Sequence, residues 1–348
     1  MHRLKRGRFE VNFPLSILDL SPVTTATPGA QALHNSLDLA RFADRLGFTR
    51  YWVAEHHNLP NIASSAPDIM IGQIAAATKN LRVGAGGVML PNHSPLAVAE
   101  RFKVLAGLFP GRIDLGIGRA PGTDPMTAYA LRRRQENPAE DDFLERFQEL
   151  VMFEQGFPAG HPFNKVRAMP SDVPLPPIFL LGSSGYSAQL AAHVGAGFSF
   201  AHHFSDFDPV ASMMAYRAQF KPSPERATPH AILALHVVCA DSDAEADRLA
   251  TSVDLNFARR RQGQFLPIPS PEEAAAHSYS ATDRALIAHN RARLIVGSPD
   301  TVTRQIKPLI ETTLADEIMI TTMIFDHAAR KRSYELMAEA FGLRATGA

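Results

Sequence analysis

The sequence predicts an α/β protein folded as a closed (β/α)8 TIM barrel with insertions, and three observations lead there. Short apolar runs alternate with longer stretches of helical periodicity, the pattern of parallel strands joined by crossover helices. Eight such runs fit into 348 residues, which suits a closed ring better than an open doubly wound sheet. Glycine and polar residues gather just past the C-terminal ends of these runs, where barrel enzymes assemble their chemistry.

The elements follow in order. The first run, 15–18, leads to a helical stripe of Leu33, Leu37, Ala40, Phe42 and Leu46, with Gly47 at the expected stop. Runs at 51–54 and 82–86 come next, and Pro95 then opens a helix carrying Val98, Phe102 and Leu105 that Pro110-Gly111 ends. The remaining runs are 113–117, 178–181, 197–200, 232–238 and 317–320. Two segments break the repeat: 156–177 is rich in Pro and Gly, and 263–292 starts Pro-rich and ends in a polar helix. Both read as insertions, because the strand count completes only if the chain on either side belongs to one barrel. Residues 1–348 are therefore expected to form a single domain.

Composition narrows the function. Lys plus Arg total 35 and Asp plus Glu total 35, so no global field favours nucleic acid or a membrane surface. The single cysteine, Cys239, excludes an internal disulfide framework and a multi-cysteine metal site, and reads as a small buried hydrophobe. The basic N-terminus precedes an apolar stretch, 11–20, broken by Asn12, Pro14 and Asp19, which makes a poor signal peptide. The run 231–240 contains His236 and is shorter than the ~20 residues of a membrane helix. A soluble, cytoplasmic protein is expected.

The polar clusters supply the candidate site. Asp19 and Ser21 follow the first run, Glu55-His56-His57-Asn58 the second, and Gly86-Gly87 closes the third. After the fourth comes Gly118-Arg119-Ala120-Pro121-Gly122, after the fifth Gly182-Ser183-Ser184-Gly185-Tyr186-Ser187, and after the sixth Ala201-His202-His203. Free N–H groups and hydroxyls in the Gly-Ser-Ser-Gly stretch at a helix start suit a phosphate, although a plain turn uses the same residues. Arg119, past the neighbouring strand, is either a bidentate partner for that anion or a surface arginine. Consecutive histidines on extended chain point to opposite sides, so each pair offers one side chain to the mouth. With no His-x-His and no His-Glu-x-x-His, no metal site is expected. No Gly-x-Gly-x-x-Gly follows a strand, which argues against a Rossmann-type nicotinamide site.

Four blocks together resemble the luciferase-like monooxygenases, and more narrowly the bacterial luciferase-family oxidoreductases. They are Leu-Ser-Ile-Leu-Asp-Leu-Ser-Pro (15–22), Tyr-Trp-Val-Ala-Glu-His-His-Asn (51–58), Val-Gly-Ala-Gly-Gly-Val-Met-Leu-Pro-Asn-His-Ser-Pro (83–95) and Gly-Arg-Ile-Asp-Leu-Gly-Ile-Gly-Arg-Ala-Pro-Gly-Thr-Asp (111–124). The likeness continues through Leu-Gly-Ser-Ser-Gly-Tyr-Ser-Ala (181–188), Phe-Ala-His-His-Phe (200–204) and Val-Gly-Ser-Pro (296–299). It implies a bacterial-luciferase-like barrel, FMN or the deazaflavin F420 as cofactor, and a homo-oligomer. It also implies roles for single residues. His56 matches a histidine beside the flavin, and Arg119 the arginine on the flavin phosphate. Ser183, Ser184 and Ser187 match phosphate-side residues of the next loop, with Gly182 and Gly118 beside them. Gly86-Gly87 matches a step where the family often has a non-proline cis peptide against the flavin ring, and a β-carbon at Gly86 is expected to intrude on the cofactor or on that cis bond. His202 is the histidine of its pair expected near the flavin. Ser183 and Gly118 stand where the light-emitting α chain has an acidic residue and a cysteine, so light emission is not implied.

The expected function is oxygenation of a small organic substrate by reduced FMN and O2, in the manner of an alkanal monooxygenase, with a separate NAD(P)H:flavin reductase as partner. Three alternatives are F420-dependent hydride transfer on the same fold, a metal-dependent barrel hydrolase using His56 and His202, and a flavin-binding protein without turnover.

Overall fold

The computed structural model describes residues 13–120, 122–132 and 142–344, together with an antiparallel pairing of Leu4–Lys5 with Arg8–Phe9. Pro121 of the quoted glycine-rich motif lies outside the described residues. Nine strands matter here: β1 (Leu15–Asp19), β2 (Arg50–Val53), β3 (Arg82–Ala85), β4 (Ile113–Gly118), β5 (Ile178–Gly182), β6 (Gly197–Ala201), β7 (Ala231–Cys239), β8 (Leu294–Gly297) and β9 (Glu317–Thr321). Strands β1 to β7 pair in sequence order, β7 pairs with β9, and β9 returns to β1, all in parallel. That closes an eight-strand barrel with helices outside it.

Strand alternation sorts the side chains. Leu15, Ile17, Tyr51, Val53, Val83 and Leu233 face outward and pack with Leu39, Ile71 and Phe102 of the surrounding helices. Leu18, Trp52, Phe179, Ile232, Ala234 and Met319 fill the interior. Helix α1 (Gly29–Leu46) carries the expected stripe and stops at Gly47, whose φ of 85° is left-handed. A β-carbon there would overlap the Arg344 carbonyl oxygen, so the position needs glycine for space as well as conformation. Helices α2 (Pro67–Ala77) and α3 (Pro95–Leu108) follow β2 and β3, with proline at each N-terminus. After β4 come α4 (Pro125–Arg132) and α5 (Phe143–Gln155), and after β5 comes α6 (Gly185–Val194).

The N-terminal end of the barrel is closed by a buried charge network. Arg50 Nε donates to both Glu317 oxygens at 3.1 and 3.0 Å, and its Nη1 to Asp114 at 2.7 Å. Trp52 Nε1 donates to the same Asp114 at 3.1 Å, while His230 lies 3.0 Å from Glu317. Opposite charges hold Glu317 down to about 2 and the Arg50 guanidinium up, each against the cost of burial. These residues sit on the stability face of such a barrel, away from the mouth.

The insertions and the strand count differ in detail from expectation. Segment 156–177 has no helix or strand and packs Phe157, Val166 and Leu175 on the core. Segment 263–292 holds α9 (Pro271–Ala276) and α10 (Ala281–Arg291), each opened by a capping box. They follow α7 (Pro209–Gln219) and the long α8 (Asp243–Arg261); α11 (Pro299–Thr313) and α12 (His327–Ala340) complete the ring. The ninth strand, β8, was not among the eight runs. His236 pairs with Leu294 and with Thr321, so β8 and β9 lie on opposite edges of β7. Since β6 pairs with β7 only through Ala234, β8 takes over that edge where β6 leaves it. Four residues suffice because they extend an existing edge without widening the ring.

Candidate active site

The loops at the C-terminal mouth are tied to one another before any ligand is considered. Glu55, fully buried after β2, accepts the Met89 N–H at 2.9 Å and lies 2.8 Å from both His57 Nε2 and His93 Nε2. These bonds hold its carboxyl below the usual range despite burial. Asn58 donates to Asp124 at 3.0 Å and Thr123 to the His57 carbonyl at 2.9 Å, which joins the β2 loop to the β4 loop. Behind Glu55, between α2 and α3, is a cavity of about 220 Å³ lined by Asp68, His93 and Arg101 among others. Glu55, Val88 and His93 of the mouth loops form one side of it. On the far side Asp19 accepts from Arg330 at 2.6 Å and from Tyr51, which ties α12 to β1.

Glycines bring the backbones of β3 and β4 together at the mouth. A β-carbon at Gly116 would overlap the Ala85 carbonyl oxygen, and one at Gly84 would sit 2.6 Å from the Asp114 carbonyl oxygen. Chain leaving β3 passes through a cis Gly86-Gly87 peptide and returns as Val88–Met89 alongside Ile117–Gly118. A β-carbon at Gly86 would meet Leu18 at 2.6 Å and Trp52 at 3.1 Å, so it points into the packed interior. The first neighbours of any side chain at Gly86 would thus be Leu18 and Trp52. A β-carbon at Gly87 would stand 2.9 Å from the Gly116 carbonyl oxygen, and one at Gly118 2.9 Å from the Met89 sulfur.

The loops after β4 and β5 converge. Arg119 is exposed and its guanidinium lies 4.4 Å from the centre of the Tyr186 ring, in the first turn of α6. Ser184, the N-cap of α6, makes no side-chain cap bond, so the helix start keeps N–H groups for an anion. Ser183 and Ser184 are half-buried and Ser187 is buried. A β-carbon on Gly182 would stand 2.5 Å from Ser187 Oγ. The Ser183 carbonyl accepts from Ser205 Oγ at 2.7 Å, which links the β6 loop to this turn.

Within each histidine pair the two side chains go to different surroundings. His56 turns away from Glu55 and leaves a buried Nδ1 without a partner, while His57 takes the Glu55 contact. Burial and the positive Arg260 hold His56 down to about 4. In the other pair it is His203 that neighbours His56 and His236, and burial lowers it to about 3. His202 is held down by burial and Arg293, on the α10 side. His236, on the inward face of β7 two residues past Ala234, is lowered to about 4 by burial, and its Nε2 has no partner. In the sequence His236 interrupts an apolar run, and its alternation with Ile232 and Ala234 is the signal for its inward position. Among the described residues no group of three or more His, Cys, Asp or Glu could hold a metal ion. Cys239 is buried and its thiol is pushed up to about 12, which suits an unreactive packing residue.

The sequence profile of the family described as luciferase-like monooxygenase matches residues 13–317. The luciferase-like monooxygenase of Escherichia coli K12 is 42% identical over 321 residues, covering 92% of this chain and 95% of that protein. The N-acetyl-S-alkylcysteine monooxygenase of Bacillus subtilis is 35% identical over 329 residues, covering 94% and 97%. The crystal structure of apo-MsnO8 superposes with a TM-score of 0.85 at 37% identity, covering 96% of this chain and 99% of that one. Two more distant structures share the fold. The oxygenating constituent of 3,6-diketocamphane monooxygenase from Pseudomonas putida, in complex with FMN, has a TM-score of 0.69 at 20% identity and coverage of 97% and 99%. An F420-dependent secondary alcohol dehydrogenase has a TM-score of 0.70 at 13% identity and coverage of 96% and 99%.

Proposed function

The chain belongs to the luciferase-like monooxygenase family, and from that premise we propose that it uses reduced FMN and O2 to oxygenate a small organic substrate at the barrel mouth. The observation that carries the FMN reading is the meeting of Arg119 with the uncapped start of α6: a guanidinium 4.4 Å from the Tyr186 ring beside a Gly-Ser-Ser turn is built for a phosphate. Arg119, Gly182, Ser183, Ser184 and Ser187 would hold that phosphate. The close-packed glycines Gly86, Gly87 and Gly118 would let a flat ring lie near the backbone.

When bound, reduced FMN supplies the electrons and the reaction with O2. The chain's own part is to bind, to orient and to keep a proton in place. His56, neutral down to about pH 4, offers its unpartnered Nδ1 as donor or acceptor at the mouth, and His203 is the histidine of the other pair that neighbours it. Among the described residues no helix is long and apolar enough to cross a membrane. Ile69, Val104 and Leu108 of α2 and α3 are exposed, which supports pairing of subunits through these helices.

Titration of the pure protein with FMN, riboflavin and F420 tests the cofactor. FMN is expected to bind tightest; preference for F420 overturns the FMN reading in favour of hydride transfer. The chain shows no dinucleotide fingerprint, so a separate flavin reductase is expected to supply the reduced cofactor. NADPH added anaerobically to the FMN-loaded protein should bleach the flavin only slowly. Bleaching within seconds without a reductase would defeat this two-component reading.

A further inference from the structure

Two parts of the mouth that belong to different loops, His56 and the Gly86-Gly87 step, are joined through one buried carboxylate. On the chain leaving β2, Trp52 and Ala54 belong to the barrel interior. Extended chain alternates, so His56 continues that inward series while Glu55 lies on the other side. There Glu55 Oε2 accepts the Met89 N–H at 2.9 Å, and Oε1 lies 2.8 Å from both His57 Nε2 and His93 Nε2. Met89 stands two residues past the glycine step and His93 two residues before the start of α3. One side chain thus ties together the β2 loop, the chain returning from β3 and the approach to α3.

The groups it binds are themselves held. The His93 carbonyl accepts from Arg146 Nη1 of α5 at 2.9 Å, and the His57 carbonyl from Thr123 Oγ1 at 2.9 Å. A β-carbon at Gly122 would stand 3.0 Å from the Glu55 carbonyl oxygen and 3.1 Å from Met89 Cγ, so the β4 loop packs on the same joint. His56 donates its N–H to the Ser64 carbonyl at 2.9 Å, but its buried Nδ1 has no partner. The direction of that ring is therefore set by the backbone on either side of it. Burying a carboxylate costs about what its pairing returns, so net stability is a weak reason for an acid here. Directional bonds to three segments are what an apolar residue of similar size does not supply.

We propose that Glu55 is a positioning residue of this site: by clamping the β2 loop to Met89 and His93 it aims the His56 imidazole at the mouth, in a fixed place beside the glycine step. The clamp acts through His56. The reaction it serves rests on the flavin reading above.

Double-variant kinetics test it. Protein loaded with FMN is reduced anaerobically with dithionite and mixed with O2, and the return of the oxidised flavin band gives a rate. Glu55→Leu, which removes every bond of the clamp, should alter that rate about 10-fold or more, in the same direction as His56→Asn. Combining the two should give the rate of His56→Asn alone. Glu55→Gln should recover most of the wild-type rate, because its amide oxygen can accept the Met89 N–H while its NH2 group donates to both imidazoles. Effects that multiply in the double variant, a Gln no better than Leu, or a rate indifferent to His56→Asn overturn the proposal.

A second measurement needs no flavin. In flavin-free protein carrying isotopically labelled histidine, the nitrogen NMR signals of His56, assigned by their loss in His56→Asn, should shift in Glu55→Leu and return towards wild type in Glu55→Gln. Signals that stay in place overturn the clamp. Where Glu55→Leu does not fold, Glu55→Ser, which leaves room for water, replaces it in both experiments. Failure to bind FMN sinks the flavin reading alone, since the histidine spectra still decide on the clamp.

Discussion

At the scale of single residues, the site separates charged anchors from neutral hydrogen-bonding groups. Arg119 is exposed, beside a helix start, and carries a fixed positive charge, whereas His56, His203 and His236 are kept neutral by burial. A hydrogen bond to a charged group contributes roughly 1.5–3 kcal/mol, so Arg119→Ala should weaken FMN binding by about 10- to 100-fold. Riboflavin has no phosphate and should be almost indifferent to that change. Equal weakening of both ligands in fluorescence titrations would assign Arg119 to the fold and not to the anion.

At the scale of elements, the close approach of β3 and β4 shapes the mouth. Gly116 is the tightest point, since its neighbour there is the Ala85 carbonyl and a backbone atom cannot rotate away as a side chain can. Overpacking of this kind costs about 1–3 kcal/mol and more where backbone must move, so Gly116→Ala should lower unfolding stability by about 3 kcal/mol. Urea denaturation read by circular dichroism checks this, and a change under 1 kcal/mol would show that the two strands can part. Gly86→Val is a poorer probe of ligand contact, because its side chain would press on Leu18 and Trp52.

At the scale of the whole molecule, the buried ionisable groups give stability a pH dependence with a defined sign. Histidines in the unfolded chain take up protons as pH falls through about 6.5. In the folded chain His56 and His236 wait until about 4 and His203 until about 3. Between those limits the unfolded state holds more protons, so stability falls as pH falls. The paired carboxylates Asp19 and Glu317 are both depressed; the contribution of Glu317 is complete above about pH 4.5 and lost as pH falls towards 2, and that of Asp19, held down by Arg330, is likewise lost only on the acid side of the ordinary carboxylate range. Asp254 and Glu149, raised by burial, act in the opposite direction near the carboxylate range. The thermal midpoint should therefore drop between pH 7 and pH 5, and His203→Asn should flatten that slope. A midpoint that is level or rises over this interval would contradict the neutral histidines.

Local sequence determined much of this protein by itself. Eight apolar runs set the ring, because the two-residue and 3.6-residue periodicities are properties of the chain alone. Gly47 and Pro95 marked helix ends through conformations that those residues favour. The turn proposed to hold a phosphate could be picked out as well, since Gly182 to Ser187 are contiguous and Arg119 follows the adjacent strand. Tertiary structure alone decided the rest. Which histidine of each pair faces the mouth depends on Glu55 claiming His57 and on the Ala234 carbonyl holding the His203 N–H. Strand β8 exists because the upper edge of β7 needs partners once β6 has left it, a requirement that four residues far along the chain meet and that no local pattern reveals.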